Sequence, residues 1–338
     1  MTVAPRRIGP FTVPALGLGC MNLSHAYGTP PSAPDGERLL LEALDAGITL
    51  FDTAALYGFG ANETLVGRTL KAHRSRIVLC SKGGMVGETF PDGVRRVIDG
   101  RPASLRAHCE ASLKRLQTDV IDLYYLHRWD KRVPIEDSVG ELSRLVEAGK
   151  VRAIGLSEVS AATLAKAHAV HPIAALQTEY SLWTRNPEIA VLEACRAMGI
   201  AFVAFSPLGR GFLTGAPPVP SEFDANDIRR TMPRFAADVW AHQLELHRGL
   251  GALAEEAGAS VAQLALAWLF ARGEHVLPIP GTRRVEHLHD NVGALHLEAR
   301  AELVERAGAI IDRLSVRGAR YSAATQKEID TEEFEPLD

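Results

Sequence analysis

The sequence predicts an α/β chain folded as a (β/α)8 barrel of the TIM type, on three observations. Eight short apolar runs alternate with helical patterns. Several runs are almost wholly apolar, as in Ile200-Ala201-Phe202-Val203-Ala204-Phe205, which suits parallel strands covered on both faces. The competing doubly wound sheet would want Gly-x-Gly-x-x-Gly after its first strand. The chain offers only Gly17-Leu18-Gly19 followed by Cys20-Met21-Asn22.

Taken in order, Arg6 to Pro14 reads as an N-terminal β-hairpin ahead of the barrel. The eight runs are Ala15–Gly19, Ile48–Phe51, Ile77–Ser81, Ile121–His127, Val151–Leu156, Ala174–Gln177, Ile200–Phe205 and Val276–Ile279. Between them, Leu105, Cys109, Leu113 and Leu116 form one helical stripe, and Val261, Leu264, Ala265, Trp268 and Leu269 form another. Ser260 with Gln263 makes a capping box at the head of the second. Gly47, Gly149 and Gly199 stand where helices stop and strands begin, the place for a left-handed cap. At 338 residues the length alone suggests two domains. The eight units instead imply one barrel over about residues 8–312, with 314–338 as loop and tail. The excess over the ~250 residues of a typical barrel lies in the hairpin, a Pro-rich loop after the seventh strand (Pro207–Ala236), a helix from about Val239 to Ala257, and the tail. The acidic stretch Asp330 to Glu335 reads as a mobile end.

Composition narrows the function. Lys plus Arg number 37 and Asp plus Glu 41, a net charge of −4. That argues against broad attachment to nucleic acid or to anionic membrane. No apolar stretch is long enough to span a bilayer, and the N-terminus is not a secretory signal. Cys20, Cys80, Cys109 and Cys195 are scattered and read as reduced thiols, so a cytoplasmic protein is expected. No metal site is expected. His287 and His289 do not share a helix face, and His168 and His171 lack an acidic or thiol partner. Gly209-Arg210-Gly211-Phe212-Leu213-Thr214-Gly215 is no P-loop.

In a barrel of this kind chemistry collects at the C-terminal ends of the strands. The second strand ends at Asp52, with Tyr57 five residues on; the third ends at Ser81-Lys82; the fourth runs into His127. Singly, each has an ordinary explanation: a turn cap, a solvated lysine, a loop aromatic, a rim histidine. Together they make a proton donor for a carbonyl that receives a hydride. An ammonium beside a tyrosine favours the phenolate, a buried carboxylate keeps that ammonium charged, and an imidazole holds the substrate oxygen.

These residues carry a resemblance. Phe51-Asp52-Thr53-Ala54-Ala55-Leu56-Tyr57-Gly58 with Asn62-Glu63-Thr64-Leu65-Val66-Gly67 resembles the aldo-keto reductase signature. Ser81-Lys82, Leu123-Tyr124-Tyr125-Leu126-His127, Gly155-Leu156-Ser157, Gln177-Thr178-Glu179-Tyr180, Phe205-Ser206-Pro207-Leu208-Gly209 and Pro280-Gly281-Thr282-Arg283-Arg284 match that superfamily in order. The chain looks most like its NADPH-dependent aldehyde reductase branch. The resemblance implies Tyr57 as general acid, Lys82 and Asp52 as the pair that tunes it, and His127 as the residue that orients the carbonyl. It implies that Ser157, Glu158 and Gln177 hold the nicotinamide carboxamide, with Phe205 against the ring. Ser206, Pro207, Leu208, Gly209, Gly211 and Leu213 would cover the pyrophosphate. Gly281, Thr282, Arg283, Arg284, His287, Asp290 and Asn291 would take the adenosine end. Glu158 is a departure, since many members carry Asn after the Ser, and an ionised carboxylate accepts but does not donate; some members of the branch read Gly-Leu-Ser-Glu, so the resemblance implies that cofactor binding is retained.

Arg283 and Arg284 stand where a helix begins after the eighth strand, a favourable place for the 2′-phosphate of NADPH. Met21, Tyr27, Trp129 and Trp183, with parts of the 212–236 loop and the 314–325 segment, are candidates for the substrate pocket. The function expected is reduction of an aldehyde or ketone, with a small-molecule carbonyl compound as partner. The alternative is a slow-turnover NADP(H)-sensing subunit acting through a protein partner that the sequence does not identify.

Overall fold

The structure, a computed structural model, describes residues 3–297 and 301–335. Two short strands, β1 (Arg6–Ile8) and β2 (Phe11–Val13), pair antiparallel as the expected hairpin. Eight parallel strands follow: β3 (Leu18–Gly19), β4 (Leu50–Asp52), β5 (Val78–Gly83), β8 (Ile121–Leu126), β9 (Val151–Ser157), β10 (Ile173–Glu179), β11 (Ala201–Phe205) and β12 (Val276–Pro278). Each overlaps one of the predicted runs. Between β5 and β8 lies a second hairpin, β6 (Met85–Phe90) with β7 (Gly93–Ile98), which the strand count did not include. Its signal was Pro91-Asp92-Gly93 between two alternating stretches.

Helices α1 (Ala33–Asp45), α2 (Ala61–Leu70), α3 (Pro102–Leu116), α4 (Ile135–Glu147), α5 (Ala161–Val170) and α6 (Val191–Met198) alternate with the strands. The helices α7 (Ala237–Glu256) and α8 (Val261–Phe270) precede β12, and α9 (Val285–Gly293), α10 (Ala301–Ile310) and α11 (Ala323–Gln326) follow it. The capping box at Ser260 and Gln263 is formed. Gly47, Gly149 and Gly199 take φ of 90°, 69° and 69°, the left-handed region expected of them.

The sheet closes on itself. Gly17 N–H donates to Pro278 O at 3.1 Å and Gly19 N–H to Pro280 O at 3.2 Å. This is where Gly17-Leu18-Gly19 has its use: a Cβ at Gly19 would lie 2.8 Å from Ile279 O, and one at Gly281 would lie 2.7 Å from Gly19 O. The seam admits only backbone. Ile8, Val13, Leu50, Cys80, Leu123, Tyr125, Ala175, Val203 and Leu277 fill the inside of the cylinder. Their strand neighbours Phe51, Tyr124, Ile154, Leu176 and Phe202 pack outward against the helices, as a period of two requires. The first hairpin closes the N-terminal end: Arg6 donates to Val276 O and Phe270 O, both at 3.2 Å. All four cysteines are free and buried. Among the described residues no helix is long and apolar enough to cross a membrane, and no cluster of three potential metal ligands forms.

The expected Pro-rich loop after β11 is built from short turns at Gly209–Gly211, Pro220–Glu222, Ile228–Thr231 and Pro233–Phe235. One expectation is corrected. The acidic end is docked rather than mobile. Asp330 Oδ2 accepts from Ser160 Oγ at 3.0 Å and Thr163 Oγ1 at 2.6 Å, and Glu332 accepts from Ala161 N–H at 2.7 Å. These carboxylates satisfy the free donors at the start of α5, where the helix dipole also favours negative charge.

Candidate active site

The C-terminal strand ends open into a cleft with a cavity volume of about 1250 Å³. At one end lie four titratable groups from three strand ends. Lys82, fully buried on β5, donates to Asp52 Oδ1, to Thr53 O at 2.9 Å and to Tyr57 Oη at 3.2 Å. Gln177 Nε2 donates to the other oxygen of Asp52 at 2.8 Å. The ring of His127 stands edge-on to that of Tyr57, with centroids 5.8 Å apart, and its Nδ1 is buried without a partner among the described residues.

Local sequence fixes these positions. After Tyr57, Gly58, Phe59 and Gly60 all take positive φ (57°, 52° and 97°), a sharp reversal that sets the tyrosine over the strand ends. Only Phe59 of the three carries a side-chain penalty there. Asn62 and Glu63 at the head of α2 then lock the rim from behind. Asn62 accepts from Thr53 Oγ1 at 2.6 Å and donates to Cys20 O at 2.8 Å, while Glu63 accepts from Ser81 Oγ at 2.5 Å and Arg115 Nε at 2.6 Å. The Asn-Glu pair thus holds the ends of β3, β4 and β5 together.

Charge follows from burial and neighbours. Burial works against the Lys82 ammonium, but Asp52 and then Tyr57 more than offset it, so its pKa stands above the ordinary lysine value. Burial pushes the Tyr57 hydroxyl up, and Lys82 only partly offsets this. The expectation that the ammonium would leave the phenol lowered is therefore corrected: desolvation prevails. Burial, with Arg128, Lys82, Arg96 and His25 nearby, drives the His127 imidazole well below its ordinary value. It is neutral at neutral pH.

Of the other predicted residues, Met21, Tyr27, Ser157, Gln177, Phe205, Ser206, Pro207, Leu208 and Gly211 line the cleft. So do Gly281, Thr282, Arg283, Arg284, His287, Asp290 and Asn291. Five do not. Glu158, with φ 56°, turns away from the cleft into a bidentate pair with Arg320 at 3.0 and 2.8 Å, and accepts from Glu179 N–H at 3.0 Å. Gly209 and Leu213 lie behind the cleft wall, where Leu213 is fully buried. Trp183 is a core residue stacked on Phe212 at 4.2 Å, and Trp129 folds over its own loop, its Nε1 donating to Val133 O at 2.9 Å. Large aromatics near strand ends were drawn into the apolar layer instead of the pocket. Tyr321, Ser322 and Thr325 from the expected 314–325 segment also line the cleft, and the lining residues the sequence did not single out include His25, Leu56, Met85, Arg96, Arg128 and Glu328. Arg128 had a signal, its place next to His127; Arg96 sits on the overlooked hairpin.

Comparison with known proteins agrees with this fold. A family profile described as "Aldo/keto reductase family" matches residues 15–312. The chain is 44% identical over 322 residues to a probable aldo-keto reductase 1 of Glycine max, covering 94% of this chain and 92% of that one. It is 43% identical to the aldo-keto reductase yakc [NADP(+)] of Schizosaccharomyces pombe, covering 95% of each. Among solved structures, the glycerol dehydrogenase of Gluconobacter oxydans superposes with a TM-score of 0.83 at 29% identity, over 92% of this chain and 95% of that one. An aldo/keto reductase of Klebsiella pneumoniae in complex with NADP and acetate does so with a TM-score of 0.70 at 27% identity, over 95% and 99%.

Proposed function

The chain belongs to the aldo/keto reductase family, and from that premise we propose that it reduces an aldehyde or ketone to an alcohol, with NADPH as hydride source and Tyr57 as general acid. The observation that carries this reading is the buried chain of contacts from Asp52 through Lys82 to Tyr57, with His127 beside it at one end of a long cleft. The other end suits a phosphorylated dinucleotide. Arg284 stands at the start of α9 with its side chain mostly exposed, and its nearest carboxylate, Glu286, is 3.9 Å away. Its guanidinium is available to an anion. Arg283 is more committed, donating to Tyr27 O at 3.1 Å and Thr29 O at 2.9 Å. The relative from Schizosaccharomyces pombe is named for NADP(+), and the Klebsiella pneumoniae structure contains NADP; both favour the phosphorylated cofactor.

When bound, the nicotinamide supplies the hydride. The remaining work falls to the chain. Tyr57 is protonated at neutral pH because burial disfavours its phenolate, so it has a proton to give. Once given, the phenolate oxygen is left 3.2 Å from the Lys82 ammonium, which stabilises the charge where it appears. Asp52 keeps that ammonium charged and aimed. Neutral His127 holds the carbonyl oxygen against Tyr57. Gln177 has its amide N–H on Asp52, and with Ser157 it orients the nicotinamide carboxamide. The whole chain acts as one barrel, and its buried thiols suit the cytoplasm. NADPH oxidation against aromatic and aliphatic aldehydes, dicarbonyls, pyridoxal and sugars tests the reading. Turnover supports it. Tight NADPH binding with no turnover above background would refute it in favour of a sensing subunit.

A further inference from the structure

The fixed charges at the carbonyl end of the cleft do not balance. Three carboxylates line the cleft: Asp52, Glu328 and Asp290. Asp52 is held by Lys82 and Gln177. Glu328 closes a bidentate pair with Arg96 at 2.6 and 2.7 Å. Asp290 accepts from Ser260 at the opposite end, beside the start of α8. Arg128 also lines the cleft, directly after His127, and makes no ion pair among the described residues. Its bonds to the protein both leave from Nη1, to His127 O at 2.7 Å and Ser157 Oγ at 3.1 Å. These two bonds hold the guanidinium at the mouth of the catalytic group, and its Nε and Nη2 donate to no described residue. A half-buried arginine with its fork unfilled is a preformed partner for a planar anion. Its charge is felt at His127, together with those of Lys82 and Arg96.

We propose that the substrate is a carbonyl compound carrying a carboxylate, held by Arg128 while its C=O faces Tyr57 and His127. This deepens the reductase reading and rests on it. The test uses the whole protein with NADPH and the 2-, 3- and 4-formylbenzoates, each against the formylbenzamide of the same shape. The expected result is a kcat/KM higher for the carboxylate in at least one pair, by about 10- to 100-fold and mainly through KM. Arg128→Met brings that ratio close to one; any loss that both substrates share cancels. Ratios near one for all three pairs in the wild type overturn the proposal. So does a ratio that Arg128→Met leaves unchanged, or a loss in that variant that appears as weaker NADPH binding with the ratio intact. Turnover of the neutral benzamides keeps the reductase reading alive when this inference fails. No turnover of any aldehyde sinks the reductase reading itself.

Discussion

Replacing Tyr57 by Phe isolates a single oxygen. The ring stays, and so does nearly all of its burial, since Tyr57 is only 8% exposed. What is lost inside the protein is one contact, Lys82 Nζ to Tyr57 Oη at 3.2 Å, while Lys82 keeps Asp52 and Thr53 O. Losing one such bond costs about 0.5–1.5 kcal/mol, so the variant folds with a nearly unchanged unfolding midpoint. The catalytic consequence is far larger, because a positioned proton donor contributes roughly 10²–10⁴-fold, which is about 2.7–5.5 kcal/mol of barrier. Steady-state NADPH oxidation with the best aldehyde from the screen gives kcat, and quenching of tryptophan fluorescence gives the NADPH dissociation constant. The expected pattern is kcat down by at least ~100-fold with NADPH affinity held. A variant that keeps a third of wild-type kcat would show that Tyr57 is not the acid, and that the Asp52-Lys82 pair serves some other purpose.

Three further outcomes follow from the same geometry. Since burial holds the His127 pKa well below its ordinary value, the unfolded chain binds a proton there that the folded chain does not as pH falls through ~6.5. The urea midpoint is therefore highest above that pH and declines below it, and His127→Gln flattens the decline; an unchanged slope in the variant contradicts the assignment. Wild type prefers NADPH, and Arg284→Ala raises the NADPH KM by about 10-fold or more with kcat little changed. Arg283→Ala has the smaller effect, because its side chain is partly committed to the Tyr27 and Thr29 carbonyls; equal kcat/KM for NADH and NADPH in wild type excludes the 2′-phosphate role. Arg320→Met strands the buried Glu158 carboxylate and costs about 3–5 kcal/mol, whereas Glu158→Gln keeps an acceptor for Arg320 and for Glu179 N–H and costs about 1–3 kcal/mol. Thermal unfolding that ranks the two in the opposite order would contradict this.

The barrel was legible because its strands, covered on both faces, write themselves as apolar runs, and because three of the four candidate groups end such runs, with Tyr57 five residues beyond one. Asp52, Lys82 and His127 could be found by asking what stands at the C-terminal ends. The second hairpin was not, since its two six-residue strands are mostly exposed and carry no continuous apolar run. The substrate side was least legible. Trp129 and Trp183 are pocket-like in type but packed elsewhere, whereas Arg96 and Glu328 meet across 232 positions of sequence. Nothing local in either stretch announces the other.

Backbone strain at the rim is held in place by buried ion pairs. Glu158, Ser206 and Arg210, none of them glycine, take positive φ of 56°, 49° and 57°. Such residues cost about 1–3 kcal/mol each and persist only where their surroundings overdetermine them. The surroundings here are buried ion pairs: Arg320 on Glu158, and Arg210 on Glu179 at 2.6 Å, with Tyr321 joining Arg210 at 3.1 Å. Glu158 also receives Asp330 N–H on its carbonyl at 3.0 Å. The Glu158 carboxylate faces away from the cleft and fastens the C-terminal segment, whose Tyr321, Ser322, Thr325 and Glu328 line the cleft. Glu158 thus acts on the cleft through the segment it holds in place.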